Sequence, residues 1–296
     1  MLIVGCGYVG TRLAHQYLGS GAPVEGVVRS EEGLADLTAA GIPARRLDLG
    51  VDDLTVLPLA GARIFHLAPP PGRGPLDLHT RRLVEAFATA GAPGRVVYVS
   101  TTGVYGDCGG AWVDESWPVA PAVDRARRRW DAEQVLGRWS QETGGELVIL
   151  RVAGIYGPDR LPLERIRQGL PLVRAEESPF SNRIHVDDLV AALQAAMERA
   201  PSGSVYNVAD GHPSTMTDYF IAVADAAGLP RPPLIPLAEA SGQLSEGMLS
   251  YLAESRRLSN RKLVEELGLR LRYPTLAEGL GRPADPGASA SGTSGP

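Results

Sequence analysis

Lysine is almost missing from this chain. Lys262 is the only one among 296 residues, so arginine carries nearly all the positive charge. No lysine is therefore present in the first 261 residues. Cysteine is also scarce. Cys6 and Cys108 are too few for a disulfide framework, and with no export signal a reducing cytoplasm is the expected compartment. Cys6 reads as a small filler inside a glycine turn, and Cys108 as an unreactive member of a Gly-rich loop. No apolar run approaches the roughly 20 residues of a spanning helix, so no membrane partner is expected. The formal charge of −5 argues against a nucleic-acid partner, which calls for a basic face. No metal site is expected. Finally, no tyrosine lies between Tyr105 and Tyr156, an absence that limits the functional reading below.

What is present is organised around the first fourteen residues. Met1–Val4 are four apolar residues that predict a buried strand. Gly5, Gly7 and Gly10, with Tyr8 and Val9 before the last, match G-x-G-x-x-G, and an amphipathic helix follows over Thr11–Leu18. The first glycine permits the tight strand-to-helix turn, the second lets backbone approach a pyrophosphate, and the third lets the helix pack on the sheet. The free N–H groups and positive dipole end of the helix suit phosphates. A strand before, a helix after and a second strand at Pro23–Val28 make dinucleotide binding the expectation.

Further strands are predicted at Ala44–Leu49, Arg63–Ala68, Arg95–Val99 and Glu146–Leu150, and helices at Glu31–Ala40, Asp77–Ala90 and Val123–Glu142. This alternation predicts an α/β fold: a Rossmann doubly wound parallel sheet with helices on both faces. After Arg151 the rhythm loosens. Short helices or extended pieces are expected at Pro162–Gly169, Asn182–Val186 and Ser204–Val208. A helix over Leu189–Arg199, capped by Asp187 or Asp188, is also expected, with others near Pro213–Ala227, Leu237–Glu246 and Asn260–Leu267. The expected organisation is a dinucleotide-binding domain over 1–155, to which 182–210 returns. A small C-terminal substrate lobe would be built from 156–181 and 211–281, and a Gly/Ala/Ser/Pro tail over 282–296 is expected to be disordered.

The cofactor preference is argued from Arg29. NAD enzymes of this fold carry an acidic residue about 20 positions past the glycines to receive the ribose hydroxyls. Arg29 stands there instead, and a guanidinium clamps a 2′-phosphate that a carboxylate repels. Ser30 adds a hydroxyl and can cap the next helix. NADP is therefore expected, with NAD as the alternative. Asp48 and Leu49 are placed to touch the adenine, and the turn at Ala68, Pro69 and Pro70 to line the cofactor, because ligands bind outside the carboxyl ends of the strands.

By the fifth strand the chain resembles the extended and atypical short-chain dehydrogenase/reductases, the NAD(P)-dependent epimerase/dehydratase superfamily. The pieces that match are the glycine motif, Phe65-His66-Leu67-Ala68, Ser100-Thr101-Thr102-Gly103-Val104-Tyr105-Gly106, Arg151–Pro158, Arg183–Asp188 and Tyr206-Asn207-Val208. The resemblance implies that Thr101 hydrogen-bonds the reacting oxygen of a substrate. Tyr105 is expected to pack or to bind substrate, and His185 to be buried and satisfied. The family's acid/base unit is Tyr-x-x-x-Lys on the helix after strand five, followed four residues later by Glu. Counting back from Ala132-Glu133, the lysine position is Arg129 and the tyrosine position is Arg125. Arginine stays protonated near neutrality and donates no proton. Arg129 would then hold the cofactor, Arg125 would meet an anionic group, and Arg127 and Arg128 would lie on a solvated face. Three functions follow as expectations: an atypical NAD(P)-dependent oxidoreductase or epimerase-like enzyme acting on a small polar or sugar-like substrate, a catalytically degenerate NADP-binding sensor, or a nucleotide-sugar epimerase/dehydratase. The resemblance also leaves a homodimer open, paired through the helices that follow strands four and five.

Overall fold

The computed structural model describes residues 1–281, so the tail expected over 282–296 lies outside the described residues. Seven parallel strands form the central sheet: β1 (Leu2–Val4), β2 (Glu25–Val28), β3 (Ala44–Arg46), β4 (Arg63–His66), β5 (Arg95–Thr101), β6 (Glu146–Val152) and β7 (Val205–Val208). They run in the order β7-β6-β5-β4-β1-β2-β3. The order reverses between β1 and β4, and that switch point opens a crevice at the carboxyl edge of the sheet. The doubly wound α/β expectation is borne out.

The strands read as unbroken apolar runs because both sheet faces are covered. Alternation along β1 sends Ile3 to one face and Leu2 and Val4 to the other; on β5 it separates Val97 from Val96 and Tyr98. On the Ile3 face pack Leu13, Ala14 and Tyr17 of α1 (Tyr8–Gly19) and Leu37 of α2 (Glu31–Ala39). Opposite them pack Leu83, Ala86 and Phe87 of α3 (Leu78–Ala90) and Ala132, Leu136 and Trp139 of α4 (Asp124–Thr143). Helix α5 (Val186–Arg199) joins the first face through Leu189, Leu193 and Met197. Each fully buried leucine, isoleucine or methionine among these contributes about 1.5–3 kcal/mol.

Several boundaries differ from the sequence expectation. Helix α1 begins at Tyr8, three residues early, because it starts directly from the glycine turn. Strand β5 runs on to Thr101 because Ser100 and Thr101 still pair with Arg151 and Val152. Helix α5 begins at Val186, and its cap is neither Asp187 nor Asp188. The Nδ1 of His185 accepts from the Asp187 amide at 3.2 Å. Asp188 instead accepts the amides of Arg272 and Tyr273, at 2.7 and 2.9 Å, and so ties the C-terminal segment down.

Beyond the sheet, a separate apolar cluster gathers Tyr156, Ile166 and Leu172 around Tyr219, Phe220 and Val223 of α6 (Met216–Ala226). Helix α7 (Glu246–Leu252) packs against it through Met248. No helix among the described residues is long and apolar enough to cross a membrane.

Candidate active site

Two clefts open at the carboxyl edge of the sheet. The first, of about 660 Å³, lies over the switch point. Gly5, Gly7, Tyr8, Val9, Arg29, Ser30, Asp48, Leu49, Ala68 and Pro69 all line it, as the sequence predicts. Gly5 holds φ +89, and a Cβ there would stand 2.4 Å from the Ala68 amide nitrogen, so only glycine lets β1 turn this close to β4. A Cβ on Gly7 would meet no atom within 4 Å. That open space is what a diphosphate approaching the backbone needs. Gly10 sits beneath the cleft, where a Cβ would be 3.0 Å from Ile3 Cγ2. No side chain caps α1, so its amide end is open to an anion. The residues present therefore fit a dinucleotide.

At the far end of this cleft Ser30 caps α2, its Oγ accepting from the Gly33 amide at 3.1 Å. Arg29 is exposed and forms no ion pair among the described residues. Asp48 accepts the Gly50 amide at 2.8 Å and thereby shapes the loop that lines this end of the cleft. The lining residues not legible beforehand include Asp36 on α2 and His79 on α3. His79 Nδ1 lies 3.0 Å from the Pro69 carbonyl, a contact between distant segments that no local pattern announces. Cys6 lines the same cleft, and burial pushes its thiol up to about 12, in keeping with an inert filler.

The second cleft, of about 830 Å³, adjoins the first. Thr101 and Arg125 line it, together with Ser100, Thr102 and Asn182. Pro70 faces this cleft and not the cofactor cleft, because Pro69–Gly72 runs outward between the two. Pro69, Val99, Arg129, Ile155 and Arg160 line both, so the clefts share a wall. Thr101 Oγ1 accepts from the Gly103 amide at 3.3 Å, which leaves its hydrogen free to donate.

Helix α4 is locked in register by a buried ion pair. Arg151 on β6 donates to Glu133 through Nη2 at 2.8 Å and Nε at 3.2 Å, and Ser100 Oγ also donates to Glu133. Losing one partner of such a pair strands the other charge and costs about 3–5 kcal/mol. Arg129 lies one turn upstream of Glu133 and Arg125 two turns upstream. Arg129 Nη1 donates to the Val99 carbonyl at 3.0 Å and the Ala68 carbonyl at 3.3 Å, and lies 3.4 Å from the Tyr98 hydroxyl. Its Nη2 and Nε carry no hydrogen bond among the described residues. Tyr98 is fully buried, and burial raises its phenol. Arg125 donates to Ser250 Oγ and stacks against Tyr251, 4.4 Å from the ring centroid. The residue at the family's tyrosine position is thus engaged by α7.

Arg127 is exposed and pairs with Asp124 at 3.0 Å. Arg128 corrects the expectation of a solvated face. It is buried, donates to the Gly74 carbonyl at 2.6 Å and lines the second cleft, because the Pro69–Gly74 loop folds over it. Tyr105 packs in the core and donates to Asn207 Oδ1 at 2.8 Å. His185 is buried, edge-on to the Tyr156 ring and tilted against that of Tyr273. The single lysine, Lys262, donates to the Val205 carbonyl at 3.0 Å and lines neither cleft.

Six arginines line the second cleft: Arg125, Arg128, Arg129, Arg160, Arg183 and Arg256. Among the described residues only Arg256 has a carboxylate partner, Glu254. Arg160 follows Asp159, the one non-glycine residue of the described chain with positive φ (64°). Its guanidinium lies 5.0 Å from the ring centroid of Tyr8, whose hydroxyl donates to the Pro158 carbonyl at 2.7 Å. Two phenols, Tyr219 and Tyr251, also line this cleft from the C-terminal segments. Sequence reading missed Arg160, Arg183, Tyr219, Tyr251, Glu254 and Arg256. Arg183 opens the Arg183–Asp188 motif, and the other five reach the cleft from segments without one. No group of three acidic, histidine or cysteine side chains among the described residues could hold a metal.

Comparison with known proteins identifies the family. The model of the NAD dependent epimerase/dehydratase family matches residues 78–209. Protein YeeZ of Escherichia coli (strain K12) is 28% identical over 283 residues, covering 92% of this chain and 95% of that one. The 3-diazoavenalumate denitrifying reductase of a Streptomyces species is 30% identical over 218 residues, 69% of each chain. The solved structure of a functionally unknown conserved protein from Silicibacter pomeroyi is 32% identical and covers 94% of this chain and 95% of that one, with a TM-score of 0.79. The chain belongs to the NAD(P)-dependent epimerase/dehydratase family of extended short-chain dehydrogenase/reductases.

Proposed function

We propose that the protein is an NADP-dependent oxidoreductase or epimerase-like enzyme acting on a small polar or sugar-like substrate that carries an anionic group. The observation that carries this reading is the shared wall: a dinucleotide cleft and an arginine-lined cleft meet at Val99, Arg129 and Ile155. A nicotinamide bound there supplies or accepts a hydride. The chain's own residues do the rest. Gly5, Gly7 and the open end of α1 hold the diphosphate, and Arg29 with Ser30 reads the 2′-phosphate. Thr101, beside the shared wall, donates its hydroxyl to the reacting oxygen. Arg129 keeps the electrostatic part of the lysine's role through its free Nη2 and Nε. Arg125 and Arg128 hold the anionic group of the substrate. The segments 156–181 and 211–281 act as the lobe that shapes the pocket.

A second reading, an NADP-binding sensor, is favoured by one observation. Both positions of the family's proton-transfer pair are arginines, and Arg125 is tied to Ser250. The two readings separate on turnover. Purified protein is incubated with NADPH and a panel of phosphorylated or carboxylated aldehydes and ketones, and the nicotinamide absorbance is followed. An oxidoreductase oxidises NADPH with at least one of them; an epimerase returns its hydride and shows no net oxidation, but changes the stereochemistry of a sugar-like substrate, which product analysis reads. The enzyme reading also predicts that Thr101→Val lowers the observed rate by about a hundredfold without weakening NADPH binding. NADPH binding with neither oxidation nor a stereochemical change across the panel favours the sensor.

A further inference from the structure

Tyr8 opens α1 at the glycine turn, and a segment from far along the chain closes on it. The Tyr8 hydroxyl donates to the Pro158 carbonyl at 2.7 Å. Gly157 permits that approach. It holds φ +149, and a Cβ there would stand 2.9 Å from the Tyr8 hydroxyl oxygen and 2.8 Å from Val186 Cγ1. The Arg160 amide donates to the Gly157 carbonyl at 3.1 Å, which closes a turn over Gly157–Arg160. Asp159 at its corner holds φ 64, a conformation that aspartate tolerates and most side chains avoid.

The turn delivers Arg160 to the first cleft. Its guanidinium lies 5.0 Å from the centroid of the Tyr8 ring, and the residue lines the cleft together with Gly5, Gly7 and Tyr8. The side chain is exposed and forms neither a hydrogen bond nor an ion pair among the described residues. Its five N–H donors are therefore open to a ligand, and an anion entering the cleft reaches them without displacing a partner. Arg12 lies against the same ring at 4.1 Å, but its Nη1 is engaged by the Tyr8 carbonyl at 3.0 Å and it does not line the cleft.

We infer that Arg160 clamps the diphosphate of the bound dinucleotide, and that the Tyr8 hydroxyl positions it by latching the Pro158 carbonyl. The glycine turn and the open end of α1 offer the diphosphate only backbone N–H groups and partial charge. A guanidinium adds a full charge and a planar fork that matches two phosphate oxygens. Stacking on Tyr8 and the latched turn restrict Arg160 before the ligand arrives, so less side-chain freedom is lost on binding. Arg160 takes no part in the hydride step. The inference rests on the reading of the first cleft as a dinucleotide site.

The test uses two nucleotides with the same diphosphate and different 2′ groups. NADPH and NADH are titrated by fluorescence into the full-length wild-type protein and its variants. Arg160→Ala is expected to lower both affinities by about tenfold or more and to leave their ratio within about twofold of wild type. Arg160→Lys, which keeps the charge and loses the fork, is expected to fall between. Tyr8→Phe is expected to weaken both nucleotides by roughly threefold, and to cause no further loss in an Arg160→Ala background, because its hydroxyl acts through Arg160. Thermal unfolding of each variant separates these losses from damage to the fold, and if Arg160→Ala does not fold, Arg160→Lys carries the test. Unchanged affinity in folded Arg160→Ala overturns the clamp, as does a loss confined to NADPH, which would place Arg160 at the 2′-phosphate. A Tyr8→Phe loss of equal size in both backgrounds overturns the positioning role of Tyr8. Wild-type protein that binds neither nucleotide removes the dinucleotide reading itself, a result distinct from a clamp that fails while the wild type binds.

Discussion

Arg129 donates its Nη1 to the Val99 carbonyl at 3.0 Å, which fastens the second turn of α4 to the end of β5 where the two clefts meet. One guanidinium nitrogen is spent on the backbone and two remain for a ligand. Arg129→Ala is expected to weaken NADPH binding by roughly tenfold or more, the loss of a charge-assisted contact, with Arg129→Lys intermediate. Nucleotide fluorescence titration checks this, and an Arg129→Ala protein that binds NADPH as the wild type does removes the residue from the cofactor site.

Arg29 lines the first cleft without a carboxylate partner among the described residues, and Asp36 lines the same cleft. Arg29→Asp is expected to reverse the nucleotide preference, lowering NADPH affinity by about tenfold or more and raising that of NADH. Unchanged relative affinities for the two nucleotides contradict the assignment.

Two glycines of one turn should behave differently. Gly5→Ala places a Cβ 2.4 Å from the Ala68 amide nitrogen at φ +89 and is expected to destabilise the fold by about 1–3 kcal/mol. Gly7→Ala meets no atom within 4 Å. Its stability should stay within about 0.5 kcal/mol of wild type, while NADPH affinity falls by about tenfold or more because a methyl stands where the diphosphate approaches. Thermal unfolding and nucleotide titration on both variants separate the two effects. Full NADPH affinity in Gly7→Ala is the contrary result.

Burial sets two opposing pH dependences. His66 is fully buried, its Nε2 2.8 Å from Thr80 Oγ1, and desolvation pulls it down to about 3. Thr80 Oγ1 donates to Asp77 Oδ2 at 2.9 Å, so the His66 nitrogen is the donor and the ring is neutral. Desolvation pushes Asp210 up to about 7. Below the ordinary histidine value of 6.5 the unfolded chain binds a proton that the folded chain refuses. Stability from His66 is therefore full above 6.5 and is lost as pH falls towards 3. Asp210 is the mirror case: its contribution is full below 3.8 and is lost as pH rises through 7. In the shared window each slope is about 1.4 kcal/mol per pH unit, with opposite sign. Urea unfolding between about pH 4.5 and 6 should show Asp210→Asn gaining stability with pH relative to wild type, and His66→Asn losing it. Curves that run parallel to wild type contradict both assignments.

The sheet was legible because parallel strands covered on both faces leave runs such as Leu2–Val4 and Val96–Val99, and because glycines at the switch point answer to geometry within ten residues. The arginines on α4 were legible by register against Glu133, but their surroundings were not. Arg128 is buried by a loop more than fifty residues earlier, through Gly74, and Arg125 is met by Ser250 and Tyr251 from α7. Glu254 and Arg160 reach the cleft from segments with no periodicity. The cap of α5 was misassigned because two adjacent aspartates offer the stronger local signal; His185 holds the cap, and the distant Arg272 and Tyr273 amides draw Asp188 away.

The central claim is that the glycine turn between β1 and α1 holds a pyridine dinucleotide whose 2′-phosphate meets Arg29. Calorimetric titration of the wild-type protein with NADPH and NADH tests it most directly. One nucleotide bound per chain, with NADPH the tighter ligand, is the predicted result; no binding of either nucleotide contradicts it.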